Sequence, residues 1–228
     1  MGGSIGWKEL YICLGSLPRD EDVANITGIN GEHLGSRTHS DVEAIRLTDD
    51  WLTEVPSGID NYFPNIEFLY IRETQLKTVN SNQLQQFPNL EYLWLHKNQI
   101  ETIEVNAFSR TPSLRVIALH SNKIKSIPYN AFRPLHLEVL QMRNNICIND
   151  SADTEQNVNR LIVVADLLCS PLGDMIDEDL RVRIYELSNN QAAFEYNLRD
   201  LRDQVATMEE RMHELENILK LVKTHVNK

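Results

Sequence analysis

Long hydrophobic runs are missing from this chain. Its longest apolar stretch, Leu161-Ile162-Val163-Val164-Ala165, is broken by Asp166. A membrane-spanning helix needs roughly 20 consecutive apolar residues. There is no basic excess either, since 22 Lys and Arg stand against 33 Asp and Glu, giving a net charge of −11. Proteins that hold nucleic acid neutralise phosphates with Lys and Arg, so this balance argues against nucleic acid as the main partner. The start, Met1-Gly2-Gly3-Ser4-Ile5-Gly6-Trp7, lacks the basic residues and apolar core of a secretory signal. Catalytic signatures are lacking as well. There is no G-x-S-x-G, H-E-x-x-H or phosphate-binding loop. No enzyme activity and no cofactor or metal is expected. Cysteine is scarce, with 3 residues in 228. From Asp174 to the C-terminus there is neither glycine nor proline.

What is present is a repeat. Starting at Val42, Ile66, Leu90, Leu114 and Leu137, the chain reads apolar-x-x-apolar-x-apolar-x-x-polar-x-apolar, with starts 24, 24, 24 and 23 residues apart. Leu90, Leu93, Leu95, Asn98, Ile100 and Ile103 show it most fully, and Leu114, Ile117, Leu119, Asn122, Ile124 and Ile127 repeat it. This is the pattern and the period of a leucine-rich repeat. Each unit is one short strand and a return stretch. The apolar residues at positions 1, 4 and 6 cannot be buried by one unit, so stacked neighbours must bury them together. Asn98, Asn122 and Asn145 fall at position 9, where the strand ends, and an amide there can serve backbone groups that no strand ladder satisfies. The first two repeats carry Asp50 and Thr74 instead, and less regular turns are expected there. The returns repeat too, as Phe63-Pro64-Asn65-Ile66 and Phe87-Pro88-Asn89-Leu90, and as Asn106-Ala107-Phe108 and Asn130-Ala131-Phe132. Their Phe residues are expected to plug the convex side.

Because side chains alternate along a strand, positions 3, 5 and 7 line the concave face. They place Phe68, Tyr70, Tyr92 and Trp94 as one aromatic cluster on two strands, beside a row of Arg72, His96, His120 and Arg143. Aromatics and Arg dominate interface hot spots, and an exposed apolar patch on a soluble protein usually binds something. This face is the candidate site for a protein ligand. The alternative is that the N-terminal segment or the C-terminal helix folds over it. His96 and His120 are neighbours, yet two His without a carboxylate or Cys make a poor metal site. A contact that responds to pH near 6 fits them better.

Cys147 falls at position 11 of the fifth, incomplete repeat, and Cys169 follows a helical stretch from Thr154 to Leu168. A bridge between them would staple that helix over the open end of the solenoid, which needs a cap. The alternative is two buried thiols. Cys13 is left over; an odd cysteine means a lost partner, an intermolecular bond or a free thiol, and a partner cysteine and signal peptide upstream of the chain are the expectation. Two N-glycosylation triplets, at Asn25 and Asn149, match chance frequency in so Asn-rich a chain.

The last segment carries an unbroken heptad. Position d reads Leu180, Leu187, Phe194, Leu201, Met208, Leu215 and Val222, and position a reads Ile184, Gln191, Leu198, Val205, Met212, Leu219 and Val226. Acidic residues cluster at its start and Lys220, Lys223 and Lys228 at its end, in accord with the helix dipole. A stripe this long exceeds what a short solenoid can cover, so a second helix is expected, as a parallel two-stranded homo- or heterodimer with Gln191 fixing the register. The expected fold is thus an α/β repeat. An N-terminal cap (1–41) leads into a short leucine-rich-repeat solenoid (42–149), a C-terminal cap helix (150–173) and a coiled coil (174–228).

The segments Tyr11-Ile12-Cys13-Leu14 and Ile29-Asn30-Gly31-Glu32-His33-Leu34 resemble the N-terminal region of secreted insect leucine-rich-repeat proteins. The order of repeat, cap helix ending in Cys, and coil resembles the leucine-rich immune proteins of mosquitoes. That resemblance implies a secreted, innate-immune protein that dimerises through its coil and holds a complement-like thioester protein. The competing reading is an intracellular regulatory subunit or adaptor, which the acidic charge suits and the 24-residue period does not.

Overall fold

The computed structural model describes all residues except 1, 6–7, 18–24, 27, 171–176 and 227–228. The repeat period becomes a sheet register. Strands β3 (Ala44–Leu47), β4 (Phe68–Ile71), β6 (Tyr92–Trp94), β8 (Val116–Ala118) and β9 (Val139–Gln141) run parallel. Ala44, Phe68, Tyr92, Val116 and Val139 stand opposite one another in turn. From the first start to the fifth the chain makes four turns of a leucine-rich-repeat solenoid.

Both ends of this parallel sheet close with antiparallel strands. A hairpin of β1 (Gly2–Ile5) and β2 (Lys8–Gly15) precedes it, and β2 pairs parallel with β3. At the other end β10 (Ser151–Ala152) pairs antiparallel with β9. The repeat pattern announces neither, because neither is a repeat. Each replaces the edge that an open sheet would present.

The core follows the pattern. Leu69, Leu93, Ile117 and Leu140 at position 4, and Ile71, Leu95, Leu119 and Met142 at position 6, are fully buried. Phe63, Phe87, Phe108 and Phe132 fill the return side, where Phe108 and Phe132 stack with ring centroids 5.5 Å apart. Two short strands, β5 (Thr78–Val79) and β7 (Thr102–Ile103), pair on the returns, beside the one-turn helix α1 (Ser81–Leu84). Gln86, to which the repeat pattern assigns no role, is buried in the second return. Its amide donates to the carbonyls of Pro56 and Gln83 and accepts from the backbone N–H of Ile59.

The position-9 asparagines form a ladder. The Asn122 amide donates to the carbonyls of Leu95 and Leu119, each at 2.9 Å, and accepts from the N–H of Ile100 at 3.0 Å. Asn98 does the same for Ile71 and Leu95 and accepts from Thr74, and Asn145 serves Leu119, Met142 and Ile124. One amide thus satisfies three backbone groups across two turns. The residue before position 9 takes the left-handed conformation in four repeats, at Glu73, Lys97, Ser121 and Asn144. The first repeat has no such residue and its Asp50 is exposed, so its turn is irregular as expected. The second is not. Thr74 is buried, and its hydroxyl donates to Asn98 at 2.7 Å and accepts from the N–H of Leu76 at 3.3 Å. A hydroxyl linked to the next rung therefore substitutes for the amide.

Helix α2 (Glu155–Leu168) closes the stack. Thr154 caps it by accepting from the N–H of Asn157. Val158, Leu161, Ile162, Ala165 and Leu168 recur at helical spacing and are buried. Cys147 and Cys169 form a disulfide. Asp166, also buried, accepts from Arg133 Nε and from the N–H of Asn130, each at 2.8 Å, which pins the helix to the fourth return. The proposed boundary at 173/174 lies outside the described residues.

Helix α3 (Glu178–Val226) runs 49 residues, about 74 Å, in a compact unit of its own from residue 182 onward. Asp177 caps it, accepting from the N–H of Leu180 at 2.8 Å. Of its heptad side chains, Leu187, Phe194 and Met208 are each more than 60 % exposed, and Leu180, Leu198, Leu201, Val205 and Met212 are exposed too. The side chains of Leu215, Leu219, Val222 and Val226 lie outside the described residues.

Two stability outcomes follow from this packing. Asn122→Ala strands a buried N–H and two carbonyls and should cost about 3 kcal/mol in urea unfolding, while Asn149→Ala, on an exposed loop, should cost far less. Replacing Cys147 and Cys169 together with Ser opens a loop of 22 residues and should cost about 3 kcal/mol, matched by the same loss when the parent is reduced.

Candidate binding face

The face is built by strand alternation. With positions 4 and 6 turned into the core, positions 3, 5 and 7 of each repeat must point outward on the concave side. There Phe68, Tyr70, Tyr92 and Trp94 meet as expected. The Phe68 ring lies 5.1 Å from Trp94 and 5.8 Å from Tyr92, and Tyr70 lies 5.6 Å from Trp94. His96 sits 5.6 Å from Tyr70 and 6.0 Å from Trp94.

Two of the expected contact residues are not at the surface. Phe68 is only 2 % exposed, packed with Leu10 of β2 and with Ala44. Ala44 is too small to fill its place on the face, so the neighbouring Phe ring and a leucine from the N-terminal strand close over it. His96 is 8 % exposed, set among Tyr70, Trp94 and His120. The N-terminal strand thus covers one corner of the patch. Tyr70, Tyr92 and Trp94 stay half-buried, and Arg143 is exposed. Phe68 and His96 form a floor beneath a surface made by the other three rings and by Arg72.

The electrostatics are one-sided. No Asp or Glu occupies position 3, 5 or 7 of any repeat. The guanidinium carbons of Arg46 and Arg72 both lie 5.3 Å from the Tyr70 ring centroid, within cation–π range. Arg46 was no part of the expected set. Its position-5 place was the available signal. Glu73 lies beyond the strand and sits 3.4 Å from Lys97 and 3.9 Å from Arg72.

His96 and His120 stack face to face, with centroids 4.6 Å apart and planes 15° off parallel. Stacked rings turn their faces, not their lone pairs, toward each other. Among the described residues no group of His, Cys, Asp or Glu could hold a metal ion. Burial is the main cause that pushes His96 down to about 4, with His120, Arg72 and Lys97 adding to it and Glu73 opposing. His120 is lowered by burial and then by Lys97. The contact expected to respond near pH 6 therefore does not draw on a free His96 imidazole. Surrounding cations and lost hydration hold His96 neutral well below that value. Beyond His120, Gln141, Arg143, Asn144, Ser151 and Asp153 outline an open hollow of about 400 Å³.

The family model described as leucine rich repeat matches residues 88–146, and that for leucine rich repeats in 2 copies matches residues 64–109. Neither is an enzyme family. No curated protein matches the chain. Among solved structures, the Drosophila Toll–Spatzle complex is similar over 47 % of this chain at 22 % identity, with a TM-score of 0.43. The chain spans 15 % of that chain's length. No helix of the described residues is long and apolar enough to cross a membrane.

A histidine that stays neutral when folded but protonates freely when unfolded makes stability fall with acid. The unfolded state binds the proton first, so the loss begins as pH drops below the ordinary histidine value of about 6.5 and is complete near the folded value. Proton NMR should find His96 titrating near 4. In the parent, melting temperature should fall more steeply over that window than in His96→Phe; identical slopes would contradict the assignment.

Proposed function

We propose that this leucine-rich-repeat chain is an extracellular recognition scaffold that grips a protein partner on its concave face. The observation that carries the reading is the half-buried trio Tyr70, Tyr92 and Trp94, backed by Phe68 and edged by Arg72 on a face whose odd repeat positions 3, 5 and 7 carry no carboxylate. Rigid rings on a firm floor bring large contact area at little entropic cost, and such residues carry most of the energy in protein interfaces. The Cys147–Cys169 disulfide supports an oxidising compartment, because cytosolic thiols are kept reduced.

Helix α3 sets valence in this reading. Its uncovered stripe is closed by a second helix in a parallel homo- or heterodimer, with Gln191 in the seam. Two coupled faces bind a multivalent surface more tightly than one when both can engage. The resemblance to mosquito leucine-rich immune proteins supports an innate-immune role, with a complement-like thioester protein as the partner held in solution.

Two measurements test this. Tyr70→Ala combined with Trp94→Ala should lose capture of the partner from body fluid while the far-ultraviolet circular dichroism and the unfolding midpoint stay near parental. Undiminished capture would remove the concave face from the mechanism. Sedimentation should show the full chain as a dimer, and a chain ending before residue 178 as a monomer; a full chain that sediments as a monomer at every concentration would remove the coil.

A further inference from the structure

The binding face leaves polar atoms without partners. Nε of Arg72, Nε1 of Trp94 and Nδ1 of His96 are shielded from solvent, and none has a hydrogen-bond partner among the described residues. Buried polar atoms are paired in most folded proteins, and an exception asks for an explanation. These three are not scattered. Tyr70 touches the side chains that carry them: its ring lies 5.6 Å from Trp94, 5.6 Å from His96 and 5.3 Å from the Arg72 guanidinium.

Charge points the same way. The protein carries a net charge of −11, yet Arg46 and Arg72 converge on one ring, and Lys97 stands beside the two histidines. Both guanidinium groups lie within cation–π reach of that ring, and no odd position of the face supplies an anion. Glu73 is turned toward Lys97 at 3.4 Å and is 3.9 Å from one Arg72 nitrogen. The Arg72 Nε is left over.

We infer that the strip formed by Arg46, Tyr70, Arg72, Trp94 and His96 is a carboxylate subsite that takes an Asp or Glu side chain of the protein partner. This rests on the concave-face reading above and gives it a ligand chemistry. Arg72, whose side chain is 29 % exposed, makes the first contact, since a guanidinium fork matches a carboxylate. As it turns to the acid, the Trp94 indole N–H and the His96 ring gain the acceptor that the free face lacks. Tyr92 and the Tyr70 ring flank the acid's neighbours.

Docking is coupled to protons. The groups facing His96 are Arg72 and Glu73 from the second repeat, Lys97 from its own, and His120 from the next. His120 in turn faces Lys97 and the Ser121 hydroxyl at 3.2 Å, and Arg143 lies one repeat beyond. All the cations oppose a proton on His96, and Glu73 is the single group favouring one. A docked carboxylate adds a second. The complex then holds more protons than the free protein, so affinity rises as pH falls below neutral.

The test uses the full chain and an isosteric pair of probes, N-acetyl-aspartate methylamide, whose one ionisable group is the side-chain carboxylate, and its neutral asparagine twin. Added at constant ionic strength and followed by NMR, the acid should shift the Trp94 indole N–H saturably and raise the His96 titration midpoint. The apparent affinity should rise several-fold from about pH 7 to about pH 5.5. The asparagine twin should do neither, and Arg72→Gln should lose the response while keeping the parental fold. Equal shifts from both probes, equal shifts from inorganic phosphate, or an unmoved His96 midpoint would overturn the subsite. The two readings fail separately. Loss of partner capture in the Tyr70 and Trp94 double variant with no probe response removes the subsite and leaves the face. A full probe response with undiminished capture does the reverse.

Discussion

Every turn of this solenoid ends a strand inside the molecule, and each ending strips backbone groups of their ladder partners away from water. The side-chain amide of asparagine resolves this constraint, because it offers two donors and an acceptor in one plane. Asn122 joins Leu95 and Leu119, the position-6 residues of successive turns, and also holds Ile100 at the start of a return. The bond set therefore crosses turns as well as closing one. That links the strand spacing, the burial of positions 4 and 6, and the direction of the odd positions. Thr74 shows how far the rule bends. A hydroxyl can replace the amide only because Asn98 of the next turn accepts from both its hydroxyl and its N–H.

The fold was legible where the chain repeats itself. Period 24 fixed the strand register, and the phenylalanines of the returns went where their recurrence put them. The ends were harder to read. The β1–β2 hairpin and β10 occur once each, so no second copy marks their pattern. Gln86 was missed for the same reason, its burial being set by three backbone partners from the surrounding return and not by hydropathy. The heptad from Leu180 onward announced helix α3 plainly, since no glycine or proline interrupts it, but periodicity alone does not supply the helix that would cover its stripe.

The face was half legible. Alternation states which side of the sheet a residue takes, and all eight expected positions lie on the concave side. It does not state how deep a residue sits there. Depth depends on the bulk of lateral neighbours, and those stand 24 residues away. Phe68 is a floor because Ala44 is small and Leu10 reaches over from a strand outside the repeat. His96 is buried because Tyr70, Trp94 and His120 are large and surround it. The same crowding moved its titration away from the pH that a free imidazole suggests. Arg46 stands at position 5 of the first repeat, and alternation alone does not show that it reaches the aromatic cluster. Tyr70 draws it in from the next strand.

The stability constraint and the proposed recognition use alternate residues of one strand, and this division explains why a face so small can be so specialised. The even positions and the asparagine rungs already hold the turn, so an odd position can carry a tyrosine, a tryptophan or an arginine without being needed for the fold. The freedom ends where side chains touch. Packing Tyr70, Trp94, His96 and two arginines into one strip leaves polar atoms without partners among the described residues. A fold under no demand but stability would relieve that tension with one carboxylate on the face, and none of the odd positions carries one. The tension stays on the face, since the asparagine bonds that hold the turns do not involve these side chains. In the proposed function it is released by what the partner brings, so that the strength of binding and the strain of the free face are two measures of the same arrangement.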